Sequence, residues 1–122
     1  MQDISDGKHI GRVADVAYTT SKKGNWMIKI NWDLGNAKIY SFHVIQDAAG
    51  NRNERNIDTL RKVFPLWDGS NAEWFEDNYD TLMGTKAELV IGHNEWQGIS
   101  CPSVMYVNAI CGNGWGGYVS WG

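Results

Sequence analysis

The chain has 122 residues and a formal net charge of −3. Its apolar fraction of 43% and charged fraction of 20% are those of an ordinary globular protein, which excludes a disordered or fibrous chain. No stretch approaches the roughly 18 apolar residues that cross a bilayer, and the N-terminus lacks the pattern of a secretory signal. We therefore predict a cytoplasmic protein without a membrane segment, with one domain at residues 1–112 and a tail rich in glycine and tryptophan at residues 113–122.

Three strands are predicted in the first 45 residues. Residues 8–20 are rich in β-forming side chains, with Gly11 at a predicted bend or bulge, and residues 21–25 have the composition of a turn. Residues 26–33 and 37–45 alternate with a period of two, which predicts a hairpin that turns at residues 34–36. The expected inner faces are Trp26, Ile28, Ile30 and Trp32 on strand two and Tyr40, Phe42 and Val44 on strand three, with Lys29, Asn31, Ser41 and His43 facing outward.

Helices are predicted next, followed by two more strands. Apolar residues recur at helical spacing from Asn53 to Phe64, and a second helical piece is predicted over 71–82. Residues 85–92 and 103–111 predict strands four and five, joined by a loop at 93–100 that carries Trp96. This order predicts a mainly β fold, a five-stranded OB-type barrel with a helical insertion between strands 3 and 4, and the same spacing also allows an α+β sandwich.

The reactive side chains do not form a catalytic pattern. None of the histidines (His9, His43 and His93) belongs to a metal-binding motif, and the sequence has neither a phosphate-binding loop nor a nucleophile elbow. Cys101 and Cys111 are expected at the two ends of one strand, roughly 33 Å apart, which is too far for a disulfide. We therefore expect a protein that is not an enzyme and needs no cofactor or metal, with reduced thiols that favour the cytoplasm.

Four segments resemble a family of small phage and prophage proteins. They are YTTSKKGNWM at 18–27, IDTL at 57–60, LMGTKAELVI at 82–91 and VN at 107–108. Proteins of that family are encoded beside replication and recombination genes and are thought to be OB-type single-stranded DNA-binding proteins. The resemblance covers roughly residues 8–112. It implies sequence-nonspecific binding of single-stranded DNA or RNA in the host cell cytoplasm, with replication or recombination proteins as further partners.

A binding track can be predicted from this fold. OB domains bind oligonucleotides on the face of strands two and three, between the loops that join strands 1–2 and 4–5. A single strand needs cationic side chains and exposed aromatic rings on which its bases stack. The candidates are Lys22, Lys23, Asn25, Lys29, Asn31, His43 and Trp96, together with Trp26 and Tyr40, which are expected mainly in the core.

The charge distribution supports an alternative. Residues 47–80 contain eight acidic and four basic side chains, a net charge of −4, whereas the rest of the chain has a net charge of +1. The alternative hypothesis is a phage-type protein-interaction or inhibitor module that uses this acidic segment to meet a basic partner. A carbohydrate-binding domain, suggested by the seven tryptophans, is a third hypothesis. An exposed strand edge would also allow a homodimer.

Overall fold

Five antiparallel strands and three short helices make up the structure, a computed structural model that describes residues 4–110. The predicted mainly β fold with five strands is therefore confirmed, and Cys111 and the predicted tail lie outside the described residues. Among residues 4–110, no helix is long and apolar enough to cross a membrane. The elements are β1 (Gly7–Thr20), β2 (Trp26–Asp33), β3 (Lys38–Gln46), α1 (Glu54–Val63), α2 (Glu73–Asp77), α3 (Tyr79–Leu82), β4 (Lys86–Trp96) and β5 (Ile99–Ala109).

The strands form one sheet in the order β3-β2-β1-β4-β5. The long central strand β1 pairs with β4 through its first half and with β2 through its second half. An irregularity in register between Val13 and Asp15 lies where β1 passes from one partner to the other, so the predicted bulge at Gly11 was misplaced. Gly11 is instead buried against β4, where an added Cβ would come within 2.7 Å of Leu89 Cδ1.

The sheet curls but is not closed by hydrogen bonds. Within the described residues, no ladder joins β3 to β5, so the predicted closed barrel is not formed. The two edge strands nevertheless contact each other, and α1 packs against both of them. The curling leaves a seam between β3 and β5 that is flanked by α1.

Helix α1 begins where the sequence predicts. The Asn53 side chain accepts a hydrogen bond from the backbone N–H of Asn56, which satisfies one of the free donors of the first turn. Ile57, Leu60 and Val63 are buried on one side of the helix. This apolar stripe fixes which side of α1 faces the sheet.

The predicted second helix is divided into α2 and α3. The two helices meet at Asn78, whose side chain donates a hydrogen bond to the Trp74 carbonyl oxygen. Phe75 of α2 packs edge-on against three other rings, those of Phe64, Trp67 and Trp74, at centroid distances of 5.4, 4.8 and 5.3 Å. This aromatic cluster joins the helical segment to the hydrophobic core.

The predicted loop at residues 93–100 is wrong. Strands β4 and β5 remain paired as far as Trp96 and Ile99, and a two-residue turn joins them. Gln97 and Gly98 both have positive φ, as the tight turns favoured in β-hairpins require. In the described chain, β1 pairs with β4 only up to Ile91, so the end of this hairpin extends beyond the rest of the sheet.

Candidate functional site

The two faces of β3 are the reverse of the prediction. Ser41 and His43 are buried, whereas the side chains of Tyr40 and Phe42 are 52% and 57% exposed. The cause is the Gly35-Asn36 turn, which places Ser41 directly opposite the buried Ile30 of β2. Directly opposed residues of paired strands share one face of a sheet, so burial of Ile30 also buries Ser41.

The buried face of β3 contains a short chain of hydrogen bonds. The indole N–H of Trp32 donates to Ser41 Oγ over 2.8 Å, and Ser41 Oγ lies 2.8 Å from His43 Nε2. Buried polar groups need such partners, which explains why a serine and a histidine occupy core positions. Burial lowers the pKa of His43 to about 4, so its ring is neutral at pH 7. His43 is only 7% exposed and faces the core, so its predicted outward position is wrong.

The outward face of β2 and β3 carries two exposed rings beside a lysine. Lys29 lies opposite Phe42, and its Nζ is 4.2 Å from the centroid of the Tyr40 ring and 5.8 Å from that of Phe42. No carboxylate pairs with Lys29 in residues 4–110, so the aromatic rings hold its charge in place. We call Lys29, Tyr40 and Phe42 the aromatic platform.

Asn31 lies at one edge of this platform, between Asp15 of β1 and Tyr40 of β3. Its side-chain oxygen is buried and, within the described chain, has no hydrogen-bond partner. The neighbouring Asp15 carboxylate accepts a hydrogen bond from the Tyr79 hydroxyl over 2.7 Å. Asn31 is therefore beside the platform but does not present its amide oxygen to a ligand.

The β1–β2 turn contains the other predicted cations. Lys22 and Lys23 are exposed there. Asn25 has a structural role, because its side-chain oxygen accepts a hydrogen bond from the backbone N–H of Ala48 and so joins this turn to the segment after β3. Of the predicted residues, the structure thus brings together Lys29, Asn31 and Tyr40 on the sheet face, with the two lysines at the turn.

The two predicted tryptophans lie elsewhere. Trp26 alternates in phase with the buried Ile28, so it lies on the opposite side of the sheet from Lys29. It is 40% exposed and packs edge-on against Tyr18, with a centroid distance of 5.8 Å. Trp96 is the last residue of β4, and a binding role for its side chain stays a prediction.

A groove of about 340 Å³ follows the seam between the edge strands of the sheet. Its walls come from β3, α1 and β5. Of its side chains, only His43 was a predicted binding residue, although the Gly35-Asn36 turn could have placed Phe42 outside through its register with β2. The lining residues are Ser41, Phe42, His43, Arg55, Asn56, Thr59, Val104, Met105, Tyr106, Val107 and Asn108.

Two of the eight acidic side chains in segment 47–80 stabilise turns. Hydrogen bonds from the backbone and side chain of Asn51 lower the pKa of Asp47, and hydrogen bonds from Ser70 lower that of Asp68. Each of these two carboxylates stabilises the turn in which it lies, so its presence does not require a partner protein. The use of this segment as a protein-binding surface stays a prediction.

No protein-family model and no curated protein matches the chain. Across residues 4–110, no group of three or more His, Cys, Asp or Glu side chains could hold a metal ion. The geometry of the sheet face and the groove is therefore the basis for the proposals that follow.

Proposed function

We propose that the chain is an OB-type protein that binds single-stranded nucleic acid without sequence preference and does not catalyse a reaction. The preferred ligand is single-stranded DNA, in phage replication or recombination. The observation that carries the proposal is the aromatic platform, where two half-exposed rings flank a lysine without a carboxylate partner. Exposed rings beside unpaired cations are what a single strand requires, since every base has a face that can stack and every phosphate is negative.

The spacing of the platform suits a strand of successive bases. Tyr40 and Phe42 are two residues apart on β3, so their Cα atoms are separated by about 7 Å along the strand. Each ring can then receive a different base. Lys29 lies within cation–π distance of both rings, where it can neutralise the phosphate that links the two bases.

The sheet topology supports the OB-type classification. β1 pairs with both β2 and β4, the edge strands β3 and β5 contact each other, and the helices lie between β3 and β4 in the chain. A partly open five-stranded barrel with a helical insertion between strands 3 and 4 would have this arrangement, and OB domains bind on the strand 2–3 face. The platform lies on that face.

The overall charge indicates that binding is weak and depends on salt. The net charge of −3 repels a polyanion at long range, so attraction depends on local cations. Lys22 and Lys23 lie in the turn at one end of the β1–β2 pair, and Lys29 lies on the outward face of β2. Their effect should be greatest at low ionic strength, where screening is least.

Anisotropy of a labelled oligothymidylate tests the proposal directly. The platform itself contains no tryptophan, so a label on the strand reports binding better than intrinsic fluorescence does. Tyr40→Ala and Phe42→Ala should each weaken binding by about 5- to 140-fold, the loss that corresponds to one stacked base. Lys29→Ala should lower the slope of log affinity against log salt by about 0.7, the contribution of one phosphate contact.

The matched control is Lys8→Ala, which removes the same charge from an exposed position on the first half of β1. It should leave both the affinity and the salt slope close to those of the wild type. The proposal fails if the wild-type protein does not bind the oligonucleotide at low salt, or if all three platform variants bind as tightly as the control.

A further inference from the structure

We propose that the groove between β3, α1 and β5 holds one nucleotide of the same strand, so that the strand leaves the sheet face at Phe42 and enters the seam. This inference rests on the proposed function and extends its binding site. It assigns the base to the rings of Phe42 and Tyr106 and the phosphate to Arg55.

The groove and the aromatic platform share a residue. Phe42 belongs to the aromatic platform and also lines the groove. A strand that stacks on Tyr40 and then on Phe42 has therefore already reached the edge of the groove.

The lining of the groove includes an exposed aromatic ring and a cation. Tyr106 of β5 is 67% exposed, so its ring is free to stack on a base. Arg55 is the one charged side chain among the described lining residues, and within residues 4–110 its guanidinium has neither a carboxylate nor a hydrogen-bond partner. An exposed ring together with an unpaired cation is complementary to a ligand with a heterocycle and an anion.

Several polar groups of the lining already form hydrogen bonds within the protein. The side-chain amide of Asn56 donates a hydrogen bond to the Val44 carbonyl oxygen, and the side-chain amide of Asn108 donates one to the Glu88 carboxylate. Ser41 and His43 bond to each other, which leaves this part of the lining uncharged. Arg55 thus provides the positive charge for a phosphate, and the uncharged part of the lining suits a base.

The size of the groove limits the occupant to a single nucleotide. Its volume of about 340 Å³ lies at the lower end of the range for sites that enclose small molecules, roughly 300–1,000 Å³. A longer stretch of the strand would have to lie outside the groove, on the platform. The two surfaces together therefore predict that affinity rises with strand length in two stages.

The test measures the affinity of oligothymidylates of increasing length for the wild type and for four variants. Arg55→Ala and Tyr106→Ala alter the groove, Tyr40→Ala alters the platform, and Arg61→Ala removes an equal charge from the opposite flank of α1 as the matched control. The groove positions are exposed, so their variants should fold, and thermal unfolding of each variant checks this.

The groove variants should bind the shortest strands as the wild type does and lose affinity only for longer ones. We expect a loss of about 5- to 140-fold for Tyr106→Ala and a decrease in salt slope of about 0.7 for Arg55→Ala. Tyr40→Ala should weaken binding at every length. A further variant, Thr59→Tyr, fills the groove while keeping Arg55 and Tyr106, and it should abolish the second stage.

The two proposals fail in different ways. If the wild type binds no oligothymidylate, the proposed function itself is wrong. If the wild type binds and Tyr40→Ala is weakened, but Arg55→Ala, Tyr106→Ala and Thr59→Tyr match Arg61→Ala at every length, then only the groove assignment is wrong. That second result would also be obtained if the groove bound an acidic peptide instead of a nucleotide.

Discussion

The buried position of His43 predicts a specific loss of stability in acid. Burial lowers the pKa of the folded-state imidazole to about 4 from its ordinary value of 6.5. Between pH 6.5 and pH 4, the unfolded chain therefore binds a proton at this residue that the folded chain does not. The free energy of unfolding should fall as the pH is lowered through this window, and the penalty is absent above pH 6.5.

The magnitude follows from the difference between the two pKa values. Each unit corresponds to about 1.4 kcal/mol, so the contribution of His43 is about 3 kcal/mol once the pH is below 4. The assay is urea unfolding of the wild type and His43→Gln at pH 7 and pH 4. Trp32 and Trp67 are buried, and their fluorescence reports unfolding. Between pH 7 and pH 4, the free energy of unfolding of His43→Gln should fall by about 3 kcal/mol less than that of the wild type.

Two controls separate His43 from other titrating groups. Asp47 and Asp68 also have lowered pKa values and lose their stabilising hydrogen bonds in acid, but both proteins contain them and the comparison cancels their effect. His9→Gln changes a partly exposed histidine, and its free energy of unfolding should fall between pH 7 and pH 4 by as much as that of the wild type. Equal losses in the wild type and His43→Gln would show that His43 is not buried as a neutral ring, and the assignment of the faces of β3 would then be wrong.

Three further substitutions test the packing and the turns, each by the free energy of unfolding. Gly11→Ala should destabilise the fold by about 1–3 kcal/mol, because the new methyl group would meet the buried Leu89 side chain; an unchanged stability would contradict the close approach of β1 and β4. Asn53→Ala should cost about 1 kcal/mol through loss of the cap on Asn56, and no change would show that the cap is not formed in solution. Gln97→Asn should stabilise the β4–β5 hairpin by up to about 1 kcal/mol, since asparagine tolerates positive φ better, and a loss of stability would argue against the two-residue turn.

The local elements were predictable because their signals lie within a few residues of each other. The alternation over residues 26–33 gives β2 its bounds, and Ile28, Ile30 and Trp32 are buried as the pattern indicates. Helix α1 follows from apolar residues that recur at helical spacing between Asn53 and Phe64. In each case the signal and the structure that it predicts belong to the same short segment.

The faces of β3 were not predictable from the strand itself. Both of its alternating sets contain large apolar side chains. The set with Tyr40 and Phe42 is not interrupted by a serine and a histidine, so the pattern alone favours that set as the core. Pairing with β2 decides otherwise, because the Gly35-Asn36 turn places Ser41 opposite the buried Ile30. A one-residue shift of register would turn Tyr40 and Phe42 inward and remove the platform.

The sequence by itself determined that the chain forms five strands and a capped helix, because periodicity, turn residues and capping side chains act over short distances. Only the tertiary structure decided that Tyr40 and Phe42 face solvent beside Lys29, and that Arg55 and Tyr106 line the same groove. These arrangements depend on register and on the approach of edge strands about 50 residues apart in the chain. Such contacts join segments that are distant in the sequence, and the local pattern of one segment carries no information about its contact with the other. The site therefore forms only when the sheet curls.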